Sequence, residues 1–272
     1  MRPSLRTIGL AAAGGLANVA VVLALYARAG YPTLESTVDV AGLVIPVFAV
    51  GFVPLLVSAH TRLLSPAVGF LVALVGTTYV ELTTPMPEWG ELGGYVVVDG
   101  PTHVASYANT WYVWLSLALV AGLLEFAIRR GYDVADRRLR NLPPLPLSRA
   151  TLAGTVAGFA GLVGVATALL VVRAGIRPSL ATLVVFAVAA AVTAVPIWAV
   201  LARGLLFPAA LFAVVVPYFL IVEVFVATES PVHLLLFGPY AVVLALVGAL
   251  EAALRARLRG WNGGRFVGQH RR

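Results

Sequence analysis

Eight long apolar runs leave this chain few ways to fold. They lie at about 8–27, 38–59, 65–84, 104–128, 150–172, 180–202, 205–227 and 233–254, each long enough to carry a helix across a hydrocarbon core roughly 30 Å thick. In lipid the backbone must pair with itself, and these runs are too long and too uniformly apolar for barrel strands that alternate inward and outward. The expected fold is all-α: a polytopic membrane protein of eight transmembrane helices, set out as two parallel four-helix repeats. A composition of 60% hydrophobic and 11% charged residues, with mean hydropathy +0.95, excludes an ordinary water-soluble domain.

The charges report topology. All 19 basic residues are arginine, and lysine is absent. Only Arg28, Arg173 and Arg177 fall on one side of the eight spans; the others flank the opposite side, which the positive-inside rule makes cytoplasmic. The expected location is a prokaryotic cell membrane with both termini cytoplasmic. The basic start followed by a long apolar stretch reads as helix one rather than a signal peptide. Without a basic stripe on a soluble fold, no nucleic-acid partner is expected. Without lysine no retinal Schiff base can form, and without cysteine there is no disulfide, thiolate metal site or thiol nucleophile.

The chain also repeats itself. Pro54, Pro66 and Glu81 recur as Pro196, Pro208 and Glu223, each shifted by 142 positions. Arg28-Ala-Gly is matched by Arg173-Ala-Gly, Pro101-Thr-His103 by Pro231-Val-His233, and Glu125 by Glu251. The reading is a first four-helix repeat at 1–130, an arginine- and proline-rich cytoplasmic linker at 131–149, a second repeat at 150–258 and a basic tail at 259–272 that contacts anionic headgroups. The 84–102 connection, with Gly93-Gly94-Tyr-Val-Val-Val, is expected to be an ordinary exposed loop, with a hairpin or lid as the alternative. Trp111, Tyr112 and Trp114 suit an interfacial belt, and Gly14-Gly15 suits close helix packing. Pro46, Pro54, Pro196, Pro217 and Pro239 are expected to kink their helices.

Helix rise and topology place Glu81, His103 and Arg28 near one depth toward the outer side, and Glu223, His233 and Arg173 near the same depth in the second repeat. A poorly solvated carboxylate beside an imidazole can hold or release a proton, so acid, base and relay roles are available. The catalytic candidates are therefore Glu81, Glu223, His103 and His233, with Arg28 and Arg173 as substrate or ion-pair support. The competing reading is that the acids snorkel or pair with those arginines only to lock helices. Two Glu and two His also suit a zinc-like ion, but their spacing matches no metal motif, so no metal and no cofactor is expected. Glu125 and Glu251, each one turn before an arginine cluster, read as cytoplasmic surface ion pairs.

The residues Arg62, Tyr79-Val-Glu81, Trp89, Gly94 and Pro101-Thr-His103, with Arg203, Glu223 and Pro231-Val-His233 in the second half, resemble the membrane-integral carotenoid-biosynthesis proteins of the small-domain, paired or fused, lycopene cyclase type. Histidine here stands where that family has the first glutamate of Pro-x-Glu-Glu. The resemblance implies acid-base chemistry on an isoprenoid or polyene held between helices, with Glu81 or Glu223 as the acid. Two other functions fit the same residues: a proton- or cation-coupled transporter, and a non-catalytic subunit whose charges meet a partner chain. Expected partners are membrane lipids, an isoprenoid or small-molecule substrate, and an oligomeric or partner subunit.

Overall fold

A computed structural model describes residues 3–175, 179–226, 231–258 and 266. Arg177, Glu229 and the basic tail apart from Phe266 lie outside them. The chain is all-α and polytopic. Its elements are α1 (Leu5–Arg28), α2 (Thr37–Thr61), α3 (Ser65–Thr83), a hairpin of β1 (Glu88–Leu92) and β2 (Tyr95–Asp99), α4 (His103–Asn109), α5 (Trp111–Gly131), α6 (Arg149–Arg173), α7 (Ser179–Arg203), α8 (Phe207–Phe225) and α9 (Phe237–Arg257). A 3₁₀ turn, Pro231–Leu236, leads into α9. Among the described residues, eight helices, all but α4, are long and apolar enough to cross a membrane.

Two compact units are present, Met1–His60 with Ser65–Ala118, and Thr61–Leu64 with Leu119–Arg272. In each, many large apolar side chains are exposed on the long helices. On α3, Val68, Leu71, Val72, Val75 and Tyr79 are exposed, whereas Pro66, Phe70, Thr77 and Glu81 are buried. On α8, Val214, Tyr218 and Ile221 are exposed, whereas Phe212, Val216, Leu220 and Glu223 are buried. Helices apolar on every face belong in lipid, with the polar residues turned inward.

Helix starts need acceptors, because the first turn of amides has no partner within its own helix. The Ser4 hydroxyl accepts the Thr7 amide at 3.2 Å to begin α1, and Ser148 accepts that of Thr151 at 3.2 Å to begin α6. The fourth span, expected as one run at 104–128, is instead interrupted at Thr110. The Thr110 hydroxyl donates to the Ser106 carbonyl at 2.6 Å, and the Trp114 indole donates to the Tyr107 carbonyl at 3.0 Å. The Thr110 amide still reaches the Ser106 carbonyl at 3.1 Å, but the Trp114 indole takes the Tyr107 carbonyl that a continuous helix would offer to the Trp111 amide, and the helix restarts. Trp114 is buried by this bond and does not join the expected interfacial belt. The eighth span also starts irregularly, as the 3₁₀ turn before α9.

The connection expected as an open loop is a two-stranded antiparallel hairpin, pairing Glu88 with Asp99 through Leu92 with Tyr95. Gly93 and Gly94 supply the positive φ values, 61° and 83°, that a tight two-residue turn requires. Trp89 anchors the hairpin over the end of α1: its indole donates to the Ala29 carbonyl at 2.8 Å and its ring lies 4.9 Å from that of Tyr31.

Glycine lets α1 and α2 meet closely. A Cβ on Gly51 would lie 2.8 Å from the Gly14 carbonyl oxygen and 2.9 Å from the Gly15 Cα, so backbone would have to move. Gly42 and Gly76 have open space at the same atom. Gly51→Val is therefore expected to destabilise the protein by about 1–3 kcal/mol, as overpacking does. Thermal unfolding in detergent checks this, with Gly42→Ala and Gly76→Ala expected to leave the midpoint nearly unchanged.

Candidate functional site

In the first unit Glu81 is a helix cap. Near the end of α3 its side chain is buried, and Oε2 accepts the Val104 amide at 2.8 Å in the first turn of α4. Thr102, at the N-cap position, makes no side-chain cap, so Glu81 supplies from another helix what a local Ser or Asp would supply. Burial, and after it the charge on Glu81, push the Tyr31 phenol up from its ordinary pKa, keeping it neutral at physiological pH. The expected Glu81–Arg28 pairing is absent among the described residues: Arg28 is exposed at the end of α1. His103 is the first residue of α4 and is half-buried. Deeper in the unit, Asn18 donates to the Val47 carbonyl at 2.7 Å and accepts the Tyr107 hydroxyl at 3.1 Å.

Glu223 has a different environment. It is buried near the end of α8, and no backbone amide among the described residues reaches it. Its Oε2 lies 3.1 Å from His233 Nε2, on the 3₁₀ turn. The contact is close but misaligned for a hydrogen bond, so both buried atoms lack a hydrogen-bond partner among the described residues. The His233 ring stacks at 5.9 Å on Phe219, which meets Phe237 edge-on at 6.1 Å. Arg173 is exposed at the end of α6 and interacts with Glu223 electrostatically, without an ion pair within 4.0 Å. Of the two expected constellations, this one brings its acid and imidazole side chains together. Among the described residues, no group of three or more metal-ligating side chains is assembled.

Glu125 and Glu251, expected as surface ion pairs, are instead built into the helix turns. Glu251 is only 3% exposed. Its two oxygens accept the Leu206 amide at 3.0 Å and the Phe207 amide at 2.9 Å, where α8 begins. Arg255, one helical turn on, pairs with Glu251 and donates at 2.8 Å to the Gly204 carbonyl in the α7–α8 turn. The Tyr132 hydroxyl donates to the same carbonyl and accepts from Arg255 at 3.0 Å. Glu125 repeats the arrangement: it accepts the Leu64 amide at 2.7 Å and pairs with Arg129 at 2.6 Å, while Arg129 donates to the Arg62 carbonyl at 3.1 Å. An acid within an apolar stretch, four residues before an arginine in both halves, was the available signal. Topology alone calls for the arginines but not for the acids.

No family model, characterised protein or solved structure matches the chain.

The two turns differ in one respect that can be measured. Arg62 and Gly204 hold the same left-handed conformation, with φ 64° and 66°, but only one is glycine. Arg62→Gly is expected to raise stability by about 1 kcal/mol by relieving that strain. Gly204→Ala is expected to lower stability by more, because its Cβ would also run into the Phe266 ring. Unfolding midpoints of the two variants in the same detergent should move in opposite directions.

Proposed function

We propose that this protein is a membrane-embedded enzyme that modifies an isoprenoid or carotenoid by acid-base chemistry at Glu223 and His233. The observation that carries the reading is the buried 3.1 Å contact between a carboxylate and an imidazole, whose facing atoms have no hydrogen-bond partner among the described residues. Phe219 and Phe237 beside the pair suit a reaction that passes through a carbocation, since aromatic faces attract positive charge. In that chemistry the Glu223 carboxylic acid gives its proton to a carbon of a double bond, forming a C–H bond and a carbocation. Loss of a proton from a neighbouring carbon to His233 closes the reaction, and transfer of that proton to Glu223 resets the pair. No oxidant is required, so isomerisation or cyclisation is the reaction class.

The arginine distribution supports cytoplasmic termini and an outward position for this pair. A parallel duplication is supported by the matched serine caps, the matched Glu–Arg turns and the equal lengths of α3 and α8, 19 residues each. On this reading the first half keeps the architecture, while Glu81 serves as a cap and the second half carries the chemistry. Arg173 holds charge near the site.

Expression with isoprenoid precursors, followed by lipid profiling, tests the reading. A new product is expected with wild type, reduced by about 100-fold or more in Glu223→Gln. His233→Gln should reduce it too, and Glu81→Gln should retain it when compared at equal amounts of folded protein. A lipid profile indistinguishable between wild type and Glu223→Gln contradicts the reading. Proton-dependent solute flux in liposomes, abolished in Glu223→Gln while lipids stay unchanged, moves the pair to coupled transport.

A further inference from the structure

The arginine-rich linker does more than mark a membrane face, because it is folded into a fixed concave surface. Its Arg140 amide donates to the Thr61 carbonyl at 3.0 Å, tying it to the end of α2. Arg129 donates to the Ala135 carbonyl at 3.2 Å, while Arg130 pairs with Asp136 at 2.8 Å and donates to the Leu142 carbonyl at 3.1 Å. Leu139 and Leu145, within the linker, are buried. The result is an open cavity of ≈ 680 Å³ whose polar lining is Arg62, Glu125, Arg129, Arg137, Arg138 and Arg140.

Arginine outnumbers acid in the cavity lining, although Arg137 and Arg138 also border an adjoining cavity lined by Asp133 and Asp136. Glu125 already accepts the Leu64 amide and pairs with Arg129, so that acid and that arginine offset each other. Arg62, Arg137, Arg138 and Arg140 are exposed and join no ion pair among the described residues. Topology accounts for basic residues on this side of the membrane, but four arginines around one cavity repel each other and call for a counter-anion. Guanidinium groups offer paired N–H donors that match phosphate oxygens. The cavity is also within the range of small-molecule sites, larger than one phosphate ion needs.

We propose that this cavity binds a phosphate-bearing anion through Arg62, Arg137, Arg138 and Arg140. The phosphate belongs either to an anionic lipid headgroup or to a soluble phosphate ester or diphosphate. The inference is independent of the Glu223–His233 reading, because it involves another set of residues and another ligand.

The test uses the full chain in nanodiscs. In one arm the discs are phosphatidylcholine alone, and pyrophosphate is titrated by calorimetry. In the other, phosphatidylglycerol is added to the discs, and its retention on the extracted protein is measured by native mass spectrometry. Saturable binding is expected in at least one arm, and the arm that binds identifies the source. Arg138→Gln with Arg140→Gln should weaken that binding by about tenfold or more, as loss of charge-assisted contacts does. Arg6→Gln with Arg149→Gln, also exposed but outside the cavity, should leave it unchanged. Absence of saturable binding in both arms, or equal weakening by the two pairs, overturns the proposal. If the cavity double variant does not fold, Arg138→Gln and Arg140→Gln are read singly by the same criterion.

Discussion

A backbone amide in hydrocarbon must find an acceptor, and in this protein carboxylates meet much of that demand where helices begin. The long helices carry four glutamates, Glu81, Glu125, Glu223 and Glu251. Three of them accept amides: Glu81 from Val104, Glu125 from Leu64, and Glu251 from Leu206 and Phe207. The helix start gains its missing partners, and the acid gains donors that make its burial tolerable. Arg129 and Arg255 complete two of these arrangements by taking the carbonyl on the other side of the turn. The helix turns are therefore held by shared polar groups rather than by lipid-like contacts alone, which discriminate little between neighbours.

Against that pattern Glu223 stands apart. It lies 142 positions after Glu81 and, like it, near the end of a 19-residue helix, yet the segment facing it differs. The first half presents the Val104 amide of an α-helix, whereas the second presents the His233 side chain from a 3₁₀ turn. The same acid thus faces a backbone amide in one case and an imidazole, a group able to exchange protons, in the other.

Much of the fold was readable because its cause is local. Apolar runs long enough to span a membrane, punctuated by arginine and proline, announce helices whatever their neighbours do. The acids of the candidate sites were readable for the same reason: Glu81 and Glu223 interrupt such runs. Their partners were not. Sequence places Glu81 with Arg28, but the donor that reaches its carboxylate is a backbone amide, and amides carry no identity in sequence. The Glu125 and Glu251 spacing to arginine fits an exposed helix pair equally well, and only the chain reversal at Arg62 and Gly204 turns the pair inward. Asn18 and Tyr107 are single polar residues in apolar helices, and their mutual hydrogen bond depends on packing that no local pattern encodes.

The most direct test needs no substrate. Each of the four glutamates is replaced by methionine, which has similar length but no carboxylate, and thermal unfolding is followed in one detergent. Glu81→Met, Glu125→Met and Glu251→Met should each lose about 1–3 kcal/mol, the cost of leaving buried amides without acceptors. Glu223→Met should hold its midpoint or raise it, since a buried acid that caps no described helix is removed. A loss at Glu223 as large as at the other three would contradict the account, because it would make Glu223 one more structural cap.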